Sequence, residues 1–381
     1  MTSRERVLRA LSHKEPDRVP IDIGGKACNM TSKTLFRIKD HFGITSDDIW
    51  NRPFESAAFY NDEVVERLGS DFRHIFLMPS DLETLQKGDD GIIRLSEDGT
   101  ISNEWGFQYK FIDGMSTIVN APLAEAEISD IATYPWPDPK APGRTAGLVE
   151  RARHLFEETD YAVEARAVSH GFFELSHELR GFENFLMDLY INKDFAHTLL
   201  DKMLEIQMEM YSVLLQNTGK YVHVVQTADD YGMQTGLLMS PEIWREFMKP
   251  RRKALNEHIQ SLAPQAKIFH HTCGSVYPII PDFIEIGIDI LNPVQPLATD
   301  MDPGKLKAEF GDEICFHGAI DQQEALPGTV EKLDEEIQLR MQQLKPGGGY
   351  IVAPTSNIQD DVPLENILFY YDAIKRYGQY E

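Results

Sequence analysis

Val222-His-Val-Val-Gln-Thr227 runs into Ala228-Asp229-Asp230-Tyr231, and Lys267-Ile-Phe-His-His-Thr272 runs into Cys273-Gly274. Between them Ser240-Pro241-Glu242 opens a helical stretch, with a serine suited to cap the first turn and a proline at the first helical position. A short apolar run, a helix and a second short apolar run make a βα unit followed by a parallel strand. Both runs end in polar, ligand-capable residues, and the C-terminal ends of parallel strands are where barrels place their chemistry.

Reading outward, the same beat recurs. Val19–Gly25, Phe72–Leu77 and Tyr161–Val168 precede this unit, and Ile290–Val294, Ile314–Gly318 and Tyr350–Pro354 follow it. Most of these runs are separated by helical patterns, such as Leu199–Leu215, with apolar residues every three or four positions. Eight strands with intervening helices predict an α/β fold closed into a (β/α)8 TIM barrel, with a doubly wound open sheet as the alternative. Residues 79–119 break the beat: they alternate, carry an Asp98-Gly99 hairpin signal and set Trp105, Phe107 and Tyr109 on one face. This predicts an antiparallel, β-rich insertion after the second strand. Tyr134-Pro-Trp-Pro-Asp-Pro, within a proline-rich linker over 134–145, returns the chain to the barrel. Residues 1–381 thus read as a single barrel domain. At its start, Thr2 and Glu5 have capping-box spacing ahead of Val7, Leu8 and Leu11.

Composition limits the function. With 42% hydrophobic and 26% charged residues the chain can bury a large core. It has no apolar run of the length a membrane span needs, so no membrane role is expected. Three cysteines are too few for a disulfide framework, which points to the reducing cytoplasm. A net charge of −24 argues against nucleic acid as a partner.

The strand ends collect polar groups. The first run ends in Gly24-Gly25-Lys26-Ala27-Cys28, the third reaches Ser169-His170 with Glu174 beyond, and the fourth ends in Asp229-Asp230-Tyr231. The fifth carries His271 and Cys273, the sixth Asn292 and Gln295, the seventh His317 and Asp321, and the eighth Ser356 and Asn357. The strand interiors read as apolar. His271-x-Cys273 pairs an imidazole with a thiol, a combination that zinc binds well, and a spacing of two puts both on one side of a strand. A catalytic zinc usually takes three protein ligands, so the pair also fits a buried cysteine beside a hydrogen-bonded histidine. Adjacent strand residues point oppositely, so one of Asp229 and Asp230 is expected to face the site as acid, base or ligand while the other caps the next helix. His170, Glu174, Tyr231, Asn292, Gln295 and His317 are the candidate substrate-binding residues. His170 and His317 are equally well explained as structural. Cys315 reads as packing, and Cys28 as a surface thiol or a member of the site.

Several longer motifs occur together. They are Leu179-Arg-Gly-Phe-Glu-Asn-Phe-Leu186, Asp229-Asp-Tyr-Gly-Met-Gln-Thr-Gly236, Ser240-Pro-Glu-Ile-Trp-Arg-Glu-Phe-Met-Lys-Pro250, His317-Gly-Ala-Ile-Asp321 with Gly328-Thr329, and Pro363-Leu-Glu-Asn-Ile367. As a set they resemble the uroporphyrinogen decarboxylase superfamily over essentially the whole chain, and the resemblance implies a (β/α)8 barrel. True decarboxylases of that superfamily carry an arginine-containing first-strand segment for a poly-carboxylate substrate; Ile23-Gly-Gly-Lys-Ala-Cys-Asn-Met30 has none. The sequence is closer in pattern to the corrinoid-dependent methyltransferase branch, which includes methylcobamide:coenzyme M methyltransferases and O-demethylase components. Coenzyme M enzymes of that branch hold zinc through a His-x-Cys and a distant cysteine near the last strand. His271 and Cys273 match the first two positions, whereas Thr355-Ser356-Asn357 stands where the third would be. Cys28, one of Asp229 and Asp230, or Glu174 is left to complete a rearranged zinc site, or zinc is absent.

The resemblance implies methyl transfer between a small donor or acceptor and a separate corrinoid protein, assisted by a metal at His271 and Cys273. Asp229 or Asp230 would orient substrate or manage a proton, with His170 and His317 lining the pocket. The alternatives are a decarboxylase of a small carboxylic acid and a non-catalytic barrel binding protein. Enzymes of this size are often symmetric homodimers.

Overall fold

The computed structural model describes residues 1–26, 28–50, 56–80, 100–112 and 115–381. Seven parallel strands form one curled sheet: Phe72–Ile75, Ala162–Ala165, Val224–Ala228, Lys267–His271, Ile290–Val294, Cys315–Ile320 and Tyr350–Pro354, neighbours in that order. These are the second to eighth runs of the sequence reading, trimmed or shifted by a residue or a few at their ends. Helices connect them, including Lys193–Leu215 and Pro241–Phe247, the latter capped by Ser240 with proline in its first turn. No helix among the described residues is long and apolar enough to cross a membrane.

The first run does not become a regular strand. Pro20 has no N–H to give a ladder, and Gly24 takes φ +106°, where a Cβ would lie 2.5 Å from the Tyr60 ring. The segment nevertheless closes the barrel. On one side Val352 N donates to Pro20 O and Asp22 N to Val352 O; on the other Asp71 N donates to Ile21 O. Side chains replace the missing ladder, with Ile21 N donating to Asp71 Oδ2 (2.8 Å) and Ile23 N to Ser70 Oγ (3.2 Å). Two salt bridges, Arg6 and Arg18 to the fully buried Asp71, tie this seam to the N-terminal helix.

The insertion is antiparallel, as expected. Ile101–Ser102, Gln108–Ile112 and Met115–Ile118 pair in sequence order, with Trp105 and Phe107 buried. The Asp98-Gly99 signal lies outside the described residues. The proline-rich linker packs onto this sheet: Tyr134 donates its hydroxyl to Trp105 O (2.7 Å), and Arg144 pairs with Glu104.

The barrel interior is built in layers. Phe72, Ala162, Val224, Phe269, Ile290, Cys315 and Ile351 supply one residue from each regular strand to a buried apolar cluster. Val7 and Leu11 complete it from the N-terminal helix Ser3–Ala10, whose Thr2–Glu5 capping box forms as expected. That helix therefore plugs the lower end. Alternate side chains share a face of a strand, so two residues further along, the same face carries His74, Glu164, Gln226, His271, Asn292, His317 and Ala353. Asp22 joins this level from the closing segment, bonded to His317. The expectation of wholly apolar strand interiors is thus corrected. The floor is apolar, and the layer above it is polar.

A candidate active site at the mouth of the barrel

The fifth strand, Lys267–His271, ends with His271 pointing into the barrel and Cys273 following on the same side. Asp230, at the end of the fourth strand, meets both. Its Oδ1 accepts from Cys273 N at 2.7 Å and lies 3.6 Å from His271 Nε2, which is 3.4 Å from Cys273 Sγ. The three ligand atoms all lie within 4.8 Å of one another. A tetrahedral zinc with ordinary bond lengths spaces its ligand atoms about 3.3–3.6 Å apart. Asp230, His271 and Cys273 therefore have the spacing a single ion requires, with the carboxylate coming from a neighbouring strand.

The imidazole is oriented by its neighbour. His271 Nδ1 lies 2.6 Å from Asn292 Oδ1, which assigns the proton to Nδ1 and leaves the Nε2 lone pair facing Asp230 and Cys273. Burial lowers the His271 pKa, keeping the ring neutral. Burial first, then the Asp230 charge, pushes the Cys273 thiol well up, so it needs a cation beside it to become thiolate.

Cys28 does not complete this group. Its thiol is buried, not on the surface, and donates to Asp22 Oδ2 (3.2 Å); with Asp22 and His317 it forms a separate cluster. His317 is likewise interior. Asn292 Nδ2 donates to its Nδ1 (2.8 Å), so its Nε2 carries the proton to Asp22 Oδ2 (3.0 Å). Hydrogen bonds thus run without a break from His271 through Asn292 and His317 to Asp22.

The adjacent aspartates divide their roles. Asp229 is fully buried and accepts from Phe173 N (3.2 Å), Glu174 N (3.0 Å), the Tyr231 hydroxyl (2.8 Å) and Arg252 Nη2 (3.1 Å). It caps not the next helix, as expected, but the Phe172–Arg180 helix of the preceding βα unit, which barrel closure sets beside it, and it pairs with an equally buried arginine. Gly171 is needed for this approach, since a Cβ there would lie 2.0 Å from the Asp229 carboxyl. Tyr231 is fully buried behind Asp229 and away from the mouth.

Capping by Asp229 sets Glu174 one turn into the helix, partly exposed and electrostatically coupled to Asp230. Burial, then the Asp230 charge, raises the Glu174 pKa to about 7. His170 sits beside it, with Nδ1 3.3 Å from Glu178 Oε1. Against Lys26 and burial, the Glu178 and Glu174 carboxylates raise the His170 pKa to about 9. Lys26 reaches the same wall, donating to Ser169 O at 3.0 Å. Gln295 accepts from Gly274 N and so fixes the loop after Cys273, while Asp321 caps the turn at 323–325. Asn357 accepts from Asn29 N.

Four residues of this region were not among the candidates read from sequence. Lys26 lies in the Gly24–Cys28 loop, and Asp22, His74 and Glu164 lie inside runs that read as apolar strands. The signal was present: His74 and Glu164 each stand two residues past a residue of the apolar floor.

Fold and mouth together define a closed parallel β/α barrel carrying a carboxylate–imidazole–thiol cluster at the C-terminal ends of its strands. The chain belongs to the uroporphyrinogen decarboxylase (URO-D) family, whose model matches residues 87–377. Among solved structures, a methyltransferase from Methanosarcina mazei superposes with a TM-score of 0.62 at 18% identity, covering 99% of each chain. Xylanase 10B from Thermotoga maritima gives a TM-score of 0.41 at 12% identity over 63% of this chain and 82% of its own, too low to support an argument. No match was found among curated proteins.

Proposed function

We propose that this protein is a methyltransferase that moves a methyl group between a small substrate and a corrinoid carried by a separate protein. The observation that carries the reading is the Asp230–His271–Cys273 group, spaced for one metal ion at the mouth of the barrel. It agrees with the fold shared, over 99% of each chain, with the methyltransferase from Methanosarcina mazei. These three residues would hold a zinc ion, whose chemistry there is that of a Lewis acid towards a substrate oxygen or thiol. The corrinoid supplies the carbon–cobalt chemistry.

The chain's own residues bind, orient and handle protons. Asn292 fixes the His271 tautomer. Glu174, with its pKa near 7, holds or releases a proton at the carboxyl facing Asp230, as a general acid or base at neutral pH requires. Lys26 and the protonated His170 give the wall beside Glu174 positive charge that suits an anionic group on the substrate. Asp229 acts through position, by anchoring the helix that carries Glu174.

The test is elemental analysis of purified protein and of His271→Ala and Cys273→Ala, followed by methyl-transfer assays with a corrinoid protein. Loss of one zinc equivalent per chain in both variants, with transfer lost alongside, is the expected result. Metal-free wild type sinks the zinc mechanism and moves the decarboxylase and binding-protein readings to the front; carbon dioxide released from a small acid without any corrinoid protein selects the decarboxylase.

A further inference from the structure

We infer that Asp22, His74 and Glu164 form a second, interior site for a divalent first-row transition-metal cation, distinct from the group at the mouth. All three are buried to within a few per cent, on the closing segment and the second and third strands. Their ligand atoms lie within 4.8 Å of one another. His74 Nε2 is 3.3 Å from Asp22 Oδ1 and 3.8 Å from Glu164 Oε1, which brackets the spacing a single ion of zinc size imposes.

What distinguishes these atoms is that, apart from the 3.3 Å approach of His74 Nε2 to Asp22 Oδ1, they have no hydrogen-bond partner. Asp22 Oδ1, Glu164 Oε1 and His74 Nε2, the ring nitrogen that faces both carboxylates, are buried and unsatisfied. Buried polar atoms are nearly always paired, and orphaned ones converging on one point need a ligand to explain them. Two carboxylates buried together are also costly unless a cation or a proton neutralises them. Burial, then the Asp22 charge, holds the Glu164 carboxyl well above its usual range, although the Arg166 guanidinium offsets part of this. Burial also lowers the His74 pKa to about 4, so the ring is neutral and its lone pair is available to a metal.

The backbone leaves room for the ion. A Cβ built on Gly25 would lie 2.8 Å from Cys28 Sγ, 3.4 Å from Asp22 Oδ2 and 3.5 Å from Glu164 Oε1. That glycine keeps open a space lined by potential ligands. Mixed nitrogen and oxygen donors, with a thiol on the other oxygen of Asp22, select first-row divalent ions over magnesium or calcium. Asp22 joins the two sites. An ion on its Oδ1 fixes the carboxylate whose Oδ2 accepts from His317, and His317 orients Asn292, which sets the His271 tautomer. The ion is therefore a positioning metal for the mouth.

The inference does not rest on the proposed reaction, and its test separates the two. The full chain is reconstituted with zinc, freed of unbound metal and analysed for zinc per chain, with far-UV circular dichroism as the check on folding. Wild type is expected to hold two equivalents, Cys273→Ala one and Glu164→Gln one. Gly25→Ala is expected to lose the same equivalent as Glu164→Gln, and His74→Gln serves if Glu164→Gln does not fold. Cobalt substitution identifies the remaining ion, since a thiolate-to-cobalt band belongs to the Cys273 site and survives Glu164→Gln. Zinc content unchanged by Glu164→Gln and His74→Gln, or a single wild-type equivalent that disappears with Cys273→Ala, overturns the inference. Loss of one equivalent in Glu164→Gln but none in Cys273→Ala leaves it standing and sinks the metal at the mouth instead.

Discussion

The mouth and the interior of this barrel hold similar sets of ligand-capable side chains, yet partner them differently. At the mouth, Asp230 accepts from a backbone N–H, His271 is bonded to Asn292, and Cys273 touches His271. Two layers of contact are satisfied, and the group is partly exposed. In the interior, Asp22, His74 and Glu164 are sealed from solvent with several atoms unpartnered. A satisfied, accessible group can exchange substrate. A sealed, unsatisfied one can only hold something permanently or carry a proton.

The same contrast appears in miniature between Asp229 and Asp230, adjacent residues on opposite sides of one strand end. The largest expected effects lie here. Asp229→Ala leaves the Arg252 guanidinium buried and uncompensated, so unfolding free energy should fall by about 3–5 kcal/mol in denaturant titration. In metal-free protein Asp230→Ala should leave stability within about 0.5 kcal/mol of wild type, as changes at partly exposed positions usually do, and after reconstitution it should lack zinc at the mouth. Equal destabilisation by the two substitutions would break the distinction.

Cys273→Ala is expected to reduce methyl transfer by about a thousandfold, the worth of a Lewis acid contributing several kcal/mol. A smaller effect belongs to the residue behind the ligand. Asn292→Ala should weaken zinc binding by about 10–100-fold, measured by competition with a chromophoric chelator, because the His271 tautomer is no longer fixed. Zinc binding should also release a proton from Cys273, whose thiol is held protonated in the empty site. Affinity should accordingly fall as pH falls, and calorimetry in buffers of different ionisation enthalpy should show the proton.

The subtlest effect concerns Glu174. Its pKa rises from 4.5 in the unfolded chain to about 7 on folding, so the folded state binds the extra proton. The stability contributed is complete below about pH 4.5 and is lost as pH rises through 7. Glu174→Gln should flatten that part of the stability profile and remove an inflection near pH 7 from the rate. An unchanged profile would show that Glu174 does not carry the proton.

The sequence by itself determined the order of the strands, the capping of the first helix, the antiparallel insertion and the pairing of His271 with Cys273. Each of these is local: a period of two or of three to four, a cap, a turn or a spacing of two is written in neighbouring residues. Tertiary structure decided the rest. Which alternate residues of each strand face inward is set by barrel closure, and that choice turned His74 and Glu164 from strand residues into a buried cluster with Asp22. Pro20 and Gly24 prevented a regular first strand, and the side chains of Asp71 and Ser70 sealed the seam instead. Asp230 meets His271 and Cys273 because the fourth and fifth strands are neighbours in register, with Ala228 opposite His271. Distances between strands belong to the fold, and no spacing along the chain contains them.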